Sequence, residues 1–251
     1  MLLGDFLGFE GREEALRKII RFNMERRTPM FYRTNDLIHS LRVHLLVKDI
    51  GSVLSETYGE EIDIDKTLTL ALVHDDAEII TGDIQLYDKE RMTPEQLAEV
   101  DANEERAIEE LARRWPEKVR EFFYRELLHH SLRKDCLEAQ VVSYCDKVDG
   151  FCESLHEVFA GNPKFLGTAR AYVTRIRDFP RKFPILNKLI PRRHPLLNMP
   201  VELEIDNILA NGDFHGVESV DRQTGISHYD RWKQITVENF GYSPLIEVKE
   251  R

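Results

Sequence analysis

Apolar residues recur at helical spacing near the start of the chain and predict two amphipathic helices there. Over Arg12 to Met24 they lie on one side of a helix. Asn35 and Asp36 precede a second apolar run, and Asn35 is a typical N-cap. The apolar positions are Leu16, Ile19, Ile20 and Phe22 in the first helix, and Leu37, Ile38, Leu41, Val43, Leu45, Leu46, Ile50 and Val53 in the second.

The middle of the chain continues the helical pattern and predicts an all-α fold. Asp65 is a candidate cap for a helix leading to His74. Thr93 to Gln96 combine a capping box with proline at the first helical position, and they open a long charged helix that ends before Pro116. The further predictions are helices over Pro116 to His130, from Val141 to about Phe159 and over Phe165 to Ile176, with a turn at Ala160 to Pro163.

After Phe179 the pattern changes to a proline-rich, basic stretch and then a tail with aromatic residues. We therefore divide the chain into a helical bundle domain over residues 1–180 and a partly irregular C-terminal extension over residues 181–251. The extension could wrap the bundle, contact a partner subunit or form a solvated linker. His215 and His228 in the tail are interpreted as structural.

Composition narrows the functional classes. The 251 residues have a formal net charge of −10, which argues against binding to nucleic acid polymers. No segment has the roughly 18 to 20 uninterrupted apolar residues of a membrane span, and the start lacks the basic and apolar regions of a signal peptide. The three cysteines form no CxxC motif, and Cys145 and Cys152 lie seven positions apart as expected for buried thiols on one helix face. This usage suits a reducing cytoplasm.

One segment concentrates the candidate chemistry. The ten positions from His74 to Asp83 directly follow an apolar run. They hold one imidazole, that of His74, and four carboxylates, those of Asp75, Asp76, Glu78 and Asp83. Burying so much acid is costly unless a cation or a proton relay compensates. An adjacent His-Asp pair offers one nitrogen and one oxygen ligand, so two more ligands would complete a site for Mn, Fe, Co or Zn.

Candidate partners for that pair lie on two other predicted helices. His39 follows the Asn35 cap, 35 positions before His74. Asp146 lies in the middle of a largely apolar helix, where a carboxylate is expensive unless it is paired or ligated. His44 lies five positions after His39 and so points away from it on a helix, and we interpret it as structural.

The order of these residues resembles the H…HD…D signature of the HD-domain metal-dependent phosphohydrolases. The string His-Asp-x-x-Glu-x-x-Thr-Gly-Asp from His74 to Asp83 is similar, more specifically, to that of the bacterial 5′-deoxynucleotidases and their relatives. The His39-Ser40-Leu41 helix start and the later Asp146-Lys147 strengthen the likeness. It covers about residues 10 to 180.

The resemblance implies a role for each residue. His39, His74, Asp75 and Asp146 would hold one divalent metal ion per chain, of the Mn, Co, Fe, Zn or Mg kind. Glu78 would orient or deprotonate the attacking water and later protonate the leaving oxygen. Asp83 would support the same water or a substrate hydroxyl. The Thr81-Gly82 turn would set the direction of Asp83, although Gly82 could equally be a plain C-cap.

The resemblance also implies cationic recognition of the substrate. Arg27 matches an arginine that contacts the nucleotide in the family, and Arg33 is a second candidate. The deoxynucleotidases have a tryptophan where this chain has Thr28. That tryptophan helps to reject ribose, so the resemblance does not extend to a strict preference for deoxyribose. For Lys147, a surface position is favoured over contact with phosphate.

These observations favour a metal-dependent phosphomonoesterase that acts on nucleoside 5′-monophosphates or similar small phosphate esters. A first alternative is a dinuclear phosphodiesterase or nucleotide pyrophosphohydrolase, with His129 or His130 at a second metal or lining the pocket. A second alternative is a non-catalytic nucleotide-binding regulatory protein on an HD scaffold. The expected partner is a small phosphorylated molecule, with no nucleic acid polymer and no membrane. The resemblance also implies a possible homodimer.

Overall fold

The computed structural model describes residues 7–22, 34–84, 89, 91–159, 162 and 165–189. The substrate-binding candidates Arg27 and Arg33, together with Thr28, lie outside this part of the chain. So do most of the predicted turn at Ala160 to Pro163 and most of the C-terminal extension, including His215 and His228.

The described residues are mostly helical, which confirms the all-α prediction. The helices are α1 (Arg12–Lys18), α2 (Asp36–Asp49), α3 (Gly51–Tyr58), α4 (Ile64–Val73), α5 (Glu78–Thr81), α6 (Pro94–Arg114), α7 (Tyr124–Arg133), α8 (Leu137–Phe159) and α9 (Leu166–Lys182). A two-stranded antiparallel hairpin, β1 (Lys118–Val119) with β2 (Phe122–Phe123), lies between α6 and α7. Short 3-10 turns cover Gly59–Glu61 and Pro184–Lys188.

Two of the three predicted N-caps are confirmed. The Asn35 side chain accepts a hydrogen bond from the Ile38 amide (3.1 Å), and Thr93 and Gln96 form the reciprocal capping box. The prediction for Asp65 was wrong, because Asp63 caps α4 by accepting from the Lys66 amide (2.9 Å). Asp65 lies in the first turn instead, where a carboxylate interacts favourably with the helix dipole.

Several predicted helix boundaries were wrong, including the end of the last helix, which was predicted at Ile176 and lies at Lys182. The segment after Pro116 first forms the hairpin, whose turn has Arg120 at φ 54°, and only then the helix. The first helix ends at Lys18, because Ile19 is extended and Ile20 forms a β-bridge with Asn35 at the start of α2. The second predicted helix is divided at Ile50, so that its last predicted apolar position, Val53, belongs to α3.

Helix α8 lies at the centre of the bundle, packed against α2, α4 and α9. Its apolar residues Val141, Val148 and Phe151 are buried in the main core. Cys145 and Cys152 are buried free thiols on the same helix, as predicted. Because α2 and α4 pack on α8, residues on three separate stretches of sequence face one another across the core.

The packed core extends beyond residue 180. Helix α9 continues to Lys182, and Leu186 and Leu189 after it are buried in the main core. The Tyr58 hydroxyl donates to the Ile185 carbonyl (2.9 Å) and joins this segment to α3. The division between residues 1–180 and 181–251 stays a prediction. None of the helices in the described part of the chain is both long and apolar enough to cross a membrane.

Candidate metal centre and substrate pocket

Four ligand-type side chains from three parts of the chain meet at one point. His39 comes from α2, His74 and Asp75 from the turn after α4, and Asp146 from α8. The Nε2 atom of His39 lies 3.2 Å from Oδ2 of Asp75, 3.3 Å from Oδ1 of Asp146 and 3.3 Å from Nε2 of His74. Nε2 of His74 is also 3.3 Å from Oδ2 of Asp75.

Local structure aims both imidazoles at this point. His74 is the C-cap of α4, and its Nδ1–H donates to the Ala71 carbonyl (2.9 Å). His39 is fully buried, and its Nδ1–H donates to Oδ2 of Asp149 (2.7 Å). With the proton of each ring on Nδ1, each Nε2 offers its lone pair to the shared point.

The arrangement fits a divalent metal ion. Atoms bound at about 2.1 Å to one ion lie roughly 3.0–3.4 Å from each other, and the four separations given above, three among His39, His74 and Asp75 and one between His39 and Asp146, fall in this range. Two imidazole nitrogens and two carboxylates suit Mn, Fe, Co or Zn. Burial acts to raise the pKa of the Asp75 carboxyl, but His74 and His39 hold that pKa well below its usual range. That carboxylate is therefore charged and ready for a cation.

A buried network of hydrogen bonds and ion pairs supports His39 on the Nδ1 side of its ring. Arg42 donates from Nε to Oδ1 of Asp149 (2.8 Å) and also contacts Glu153, which accepts from Arg21 Nε (3.1 Å). His39, Asp149 and Glu153 are themselves close enough to be considered as metal ligands. Because the two guanidinium groups already occupy these carboxylates, we assign them to support of the site and not to a second ion.

A pocket opens beside the four side chains and is lined by Glu78 and Asp83 as well as by Asp75 and Asp146. Oε2 of Glu78 is buried and has no hydrogen-bond partner among the described residues. Burial, together with the charges of Asp75 and Asp83, raises the pKa of the Glu78 carboxyl well above its ordinary value. A carboxyl with a raised pKa holds a proton more readily than an ordinary glutamate, as a group that both accepts and returns a proton requires.

Asp83 reaches the pocket because α5 ends abruptly. Gly82 has φ 73° and its amide donates to the Glu78 carbonyl (2.7 Å), so it is the C-cap of α5 and also turns the chain toward the pocket. Burial raises the pKa of the Asp83 carboxyl, whereas Arg21 acts in the opposite direction.

Three other histidines in the described part of the chain, His44, His129 and His130, are not among the residues that line the pocket. His44 donates from Nδ1 to the Leu68 carbonyl (2.9 Å), in keeping with a structural role. His129 lies 3.3 Å from Glu105 and 3.4 Å from Glu109, and His130 is 2.6 Å from Asp135. Neither of the two neighbouring histidines is among the residues that line the pocket.

Several residues of the pocket and of the buried network around His39 were missed by the sequence analysis. Arg21 lines the pocket, 3.7 Å from Asp75, and its signal was a charge within an otherwise apolar run. Asp149 follows Asp146 by three positions and so lies on the same helix face, a signal that was readable. Lys147 also lines the pocket, against the surface position favoured for it, and contacts Asp146. Lys134 had no sequence signal.

Known proteins resemble the chain over this helical region. The sequence model of the family described as YfbR-like 5′-deoxynucleotidase matches residues 12–185. The 5′-deoxynucleotidase VP0926 of Vibrio parahaemolyticus is 30% identical over 155 residues, which are 61% of this chain and 78% of that protein. The 5′-deoxynucleotidase YfbR of Escherichia coli is 27% identical over 128 residues, 51% of this chain and 63% of that protein.

Solved structures agree with the fold. An HD-domain phosphohydrolase from Listeria innocua superposes with a TM-score of 0.52 at 20% identity, over 92% of this chain and 95% of that one. A conserved hypothetical protein from Pyrococcus furiosus gives 0.51 at 22% identity, over 71% and 95%. At these identities the likeness speaks for the fold alone.

Proposed function

Because the chain belongs to the YfbR-like 5′-deoxynucleotidase family of HD-domain phosphohydrolases, it is a metal-dependent nucleotide phosphohydrolase, and we propose that it releases phosphate from nucleoside 5′-monophosphates. The observation that supports this most is the convergence of two imidazoles and two carboxylates beside a pocket with a buried glutamate oxygen that has no hydrogen-bond partner among the described residues. That combination provides both a cation site and a proton-transfer group for attack by water.

We assign the cation to His39, His74, Asp75 and Asp146, as one ion per chain. When bound, a divalent ion there would polarise a phosphate oxygen and make water more acidic. Mn, Co, Fe, Zn and Mg are all candidates, and the donor set of two nitrogens and two oxygens favours the first four. The acids around the centre also need the positive charge, because Asp75, Asp83 and Glu78 repel one another.

Glu78 would transfer protons, and Asp83 would position the water or the substrate. The free Oε2 of Glu78 is placed to accept a proton from water, and its raised pKa suits it to return that proton to the leaving ribose oxygen. Asp83 lines the same pocket and would hold the water or a substrate hydroxyl in place. Tyr172 lines the pocket as well and gives it an aromatic wall.

Recognition of the nucleotide remains a prediction for residues outside the described part of the chain. Arg27 and Arg33 are proposed to contact the substrate, and Thr28 in place of tryptophan leads us to expect ribonucleotides to be accepted beside deoxyribonucleotides. Homodimerisation and a cytoplasmic location are likewise predictions.

The test is phosphate release from a panel of ribo- and deoxynucleoside monophosphates with Mn, Co, Mg and Zn. Glu78→Gln should lower kcat about 10²- to 10⁴-fold and leave metal binding intact, because it removes a proton carrier and not a ligand. Glu109→Gln, at a partly exposed glutamate on α6 away from the pocket, is the control and should keep wild-type kcat.

Elemental analysis completes the test. One metal per chain with monoester turnover supports the proposal. The dinuclear alternative would be supported instead by two metals per chain together with turnover of diesters or nucleoside triphosphates, if that turnover is lost on changing His129 or His130. Unchanged turnover in Glu78→Gln would remove the proposed catalytic role.

A further inference from the structure

Lys134 occupies an unusual backbone position at the edge of the pocket. It is the C-cap of α7, with φ 53°, and its amide donates to the His130 carbonyl (2.8 Å). Left-handed C-cap positions favour glycine, because a side chain there crowds the backbone. A lysine is therefore a costly choice at this position. Strained residues of this kind are common where a side chain serves a ligand.

The other cations that line the pocket are already paired. Lys89 donates to Glu104 (2.9 Å), Lys147 contacts Asp146, and Arg21 donates to Glu153 (3.1 Å). Lys134 differs from them. Its Nζ donates to the Ser131 carbonyl (3.2 Å), and it forms no ion pair with a carboxylate in the described part of the chain.

The surroundings of Lys134 disfavour its positive charge. Burial lowers the pKa of its ammonium group, and the nearby charges of Lys147, Lys182 and Lys89 act in the same direction, against Asp146. A half-buried cation among like charges is unfavourable unless an anion joins it. Lys134 lines the same pocket as Glu78, Asp83 and three of the candidate metal ligands, His74, Asp75 and Asp146.

We propose that Lys134 is a substrate-binding residue whose ammonium group donates to the phosphate of the nucleotide. This inference rests on the proposed function, since it names the cation that receives the substrate of that site. A phosphate dianion entering the pocket meets several carboxylates, and Arg21, Lys89 and Lys147 are each engaged by one. Lys134 supplies positive charge that is not held in an ion pair by any carboxylate of the described residues.

A simpler role for Lys134 is to cap the end of α7 through the Ser131 carbonyl. The two roles differ in their effect on phosphate binding. We would therefore titrate inorganic phosphate into the full-length, Mn-loaded protein by calorimetry, and measure KM and kcat for the best nucleotide. Lys134→Met should weaken phosphate binding and raise KM roughly ten- to a hundred-fold, because a charge-assisted hydrogen bond is lost. Lys134→Arg should restore most of the affinity.

Two further variants separate the phosphate role from capping and from long-range charge. Lys182→Met removes an exposed charge that acts on Lys134 but does not line the pocket, so it should change phosphate affinity less than twofold. Lys134→Gly should raise the thermal unfolding midpoint, because glycine suits the left-handed C-cap, and yet weaken phosphate binding as much as Lys134→Met does.

Failure of this inference is distinguishable from failure of the proposed function. The role of Lys134 would be overturned if phosphate affinity and KM were unchanged in both Lys134→Met and Lys134→Gly. It would also be overturned if the wild-type protein bound no inorganic phosphate. Phosphate binding that depends on Lys134, in a protein that hydrolyses none of the nucleotides, would instead overturn the proposed monoesterase activity.

Discussion

Asp149 shows how a single buried carboxylate can determine what its neighbour offers to a metal. It is fully buried, and its oxygens accept from His39 Nδ1 (2.7 Å) and from Arg42 Nε (2.8 Å) and Nη2 (3.0 Å). Although burial acts in the opposite direction, Arg42 and His39 lower the pKa of Asp149 to about 2. At neutral pH it is an acceptor, so it holds the proton of His39 on Nδ1.

We expect Asp149→Asn to weaken Co²⁺ or Mn²⁺ binding about 10- to 100-fold, because an amide can present a donor to Nδ1 and release the ring from its tautomer. The measurement is a metal titration of folded, metal-free protein, followed by calorimetry and by the Co²⁺ absorption spectrum. Glu138→Gln is a matched control, since Glu138 is a buried acid of the same helix that accepts from the Asp63 amide (3.1 Å). Equal metal affinity in Asp149→Asn and the control would contradict the positioning role.

At this scale, sequence reasoning can find residues whose local chemistry is unusual, and it misses residues whose role depends on backbone geometry. His39, His74, Asp75 and Asp146 are ligand-type residues in apolar surroundings, and the structure brings them together. Arg21 and Asp149 could have been found by the same argument. Lys134 could not, because its relation to the pocket follows from a left-handed C-cap that its neighbours in sequence do not predict.

Among the helices, the position of the His-Asp turn depends on a buried ion pair. Arg12 of α1 donates from Nε to Oδ2 of Asp76 (2.7 Å) and from Nη2 to Oδ1 (2.6 Å), and it also contacts the Leu72 carbonyl. The Tyr124 hydroxyl of α7 donates to the same carboxylate (2.8 Å). Asp76 directly follows Asp75, so these contacts hold the turn that carries two of the candidate ligands.

Arg12→Met should lower the free energy of unfolding by about 3–5 kcal/mol, because it leaves the buried Asp76 carboxylate without its counter-charge. Arg17→Met on the same helix removes a largely exposed side chain, 3.7 Å from Glu13, and should cost less than about 1 kcal/mol. Chemical denaturation of both variants measures the difference. The double variant Arg12→Met/Asp76→Asn should recover part of the loss, and equal stability of the two single variants would refute the argument.

Helix boundaries could be predicted where a capping side chain marks them. Asn35 and Thr93 are such cases, with Pro94 at the first position of α6. The hairpin before α7 was missed, because two strands of two residues are too short for a periodic pattern and depend on Arg120 at positive φ. Asp63 and Asp65 are equally good caps in sequence, and only the start of α4 distinguishes them.

On the scale of the whole molecule, the buried core holds the candidate site together but does not end where the composition changes. The proline-rich, basic character that begins after Phe179 predicted a boundary at residue 180. Helix α9 nevertheless contains Pro180 and continues to Lys182, and the turn after it returns Leu186 to the core. The change in composition reflects the residues that the segment exposes to solvent. A few buried leucines within the segment are enough to attach it to the bundle.

Leu186→Ala in the full chain tests this extension of the core. Leu186 has no exposed surface, and removing its side chain should lower the free energy of unfolding by about 2–5 kcal/mol through lost burial and the cavity left behind. Lys188→Ala, two residues later and exposed, should change it by less than about 0.5 kcal/mol, because its ion pair with Glu61 is long (3.5 Å). Denaturant titration of both variants gives the comparison. A Leu186→Ala protein as stable as the wild type would mean that the segment after residue 182 lies outside the cooperative core, and that the bundle ends where the sequence first predicted.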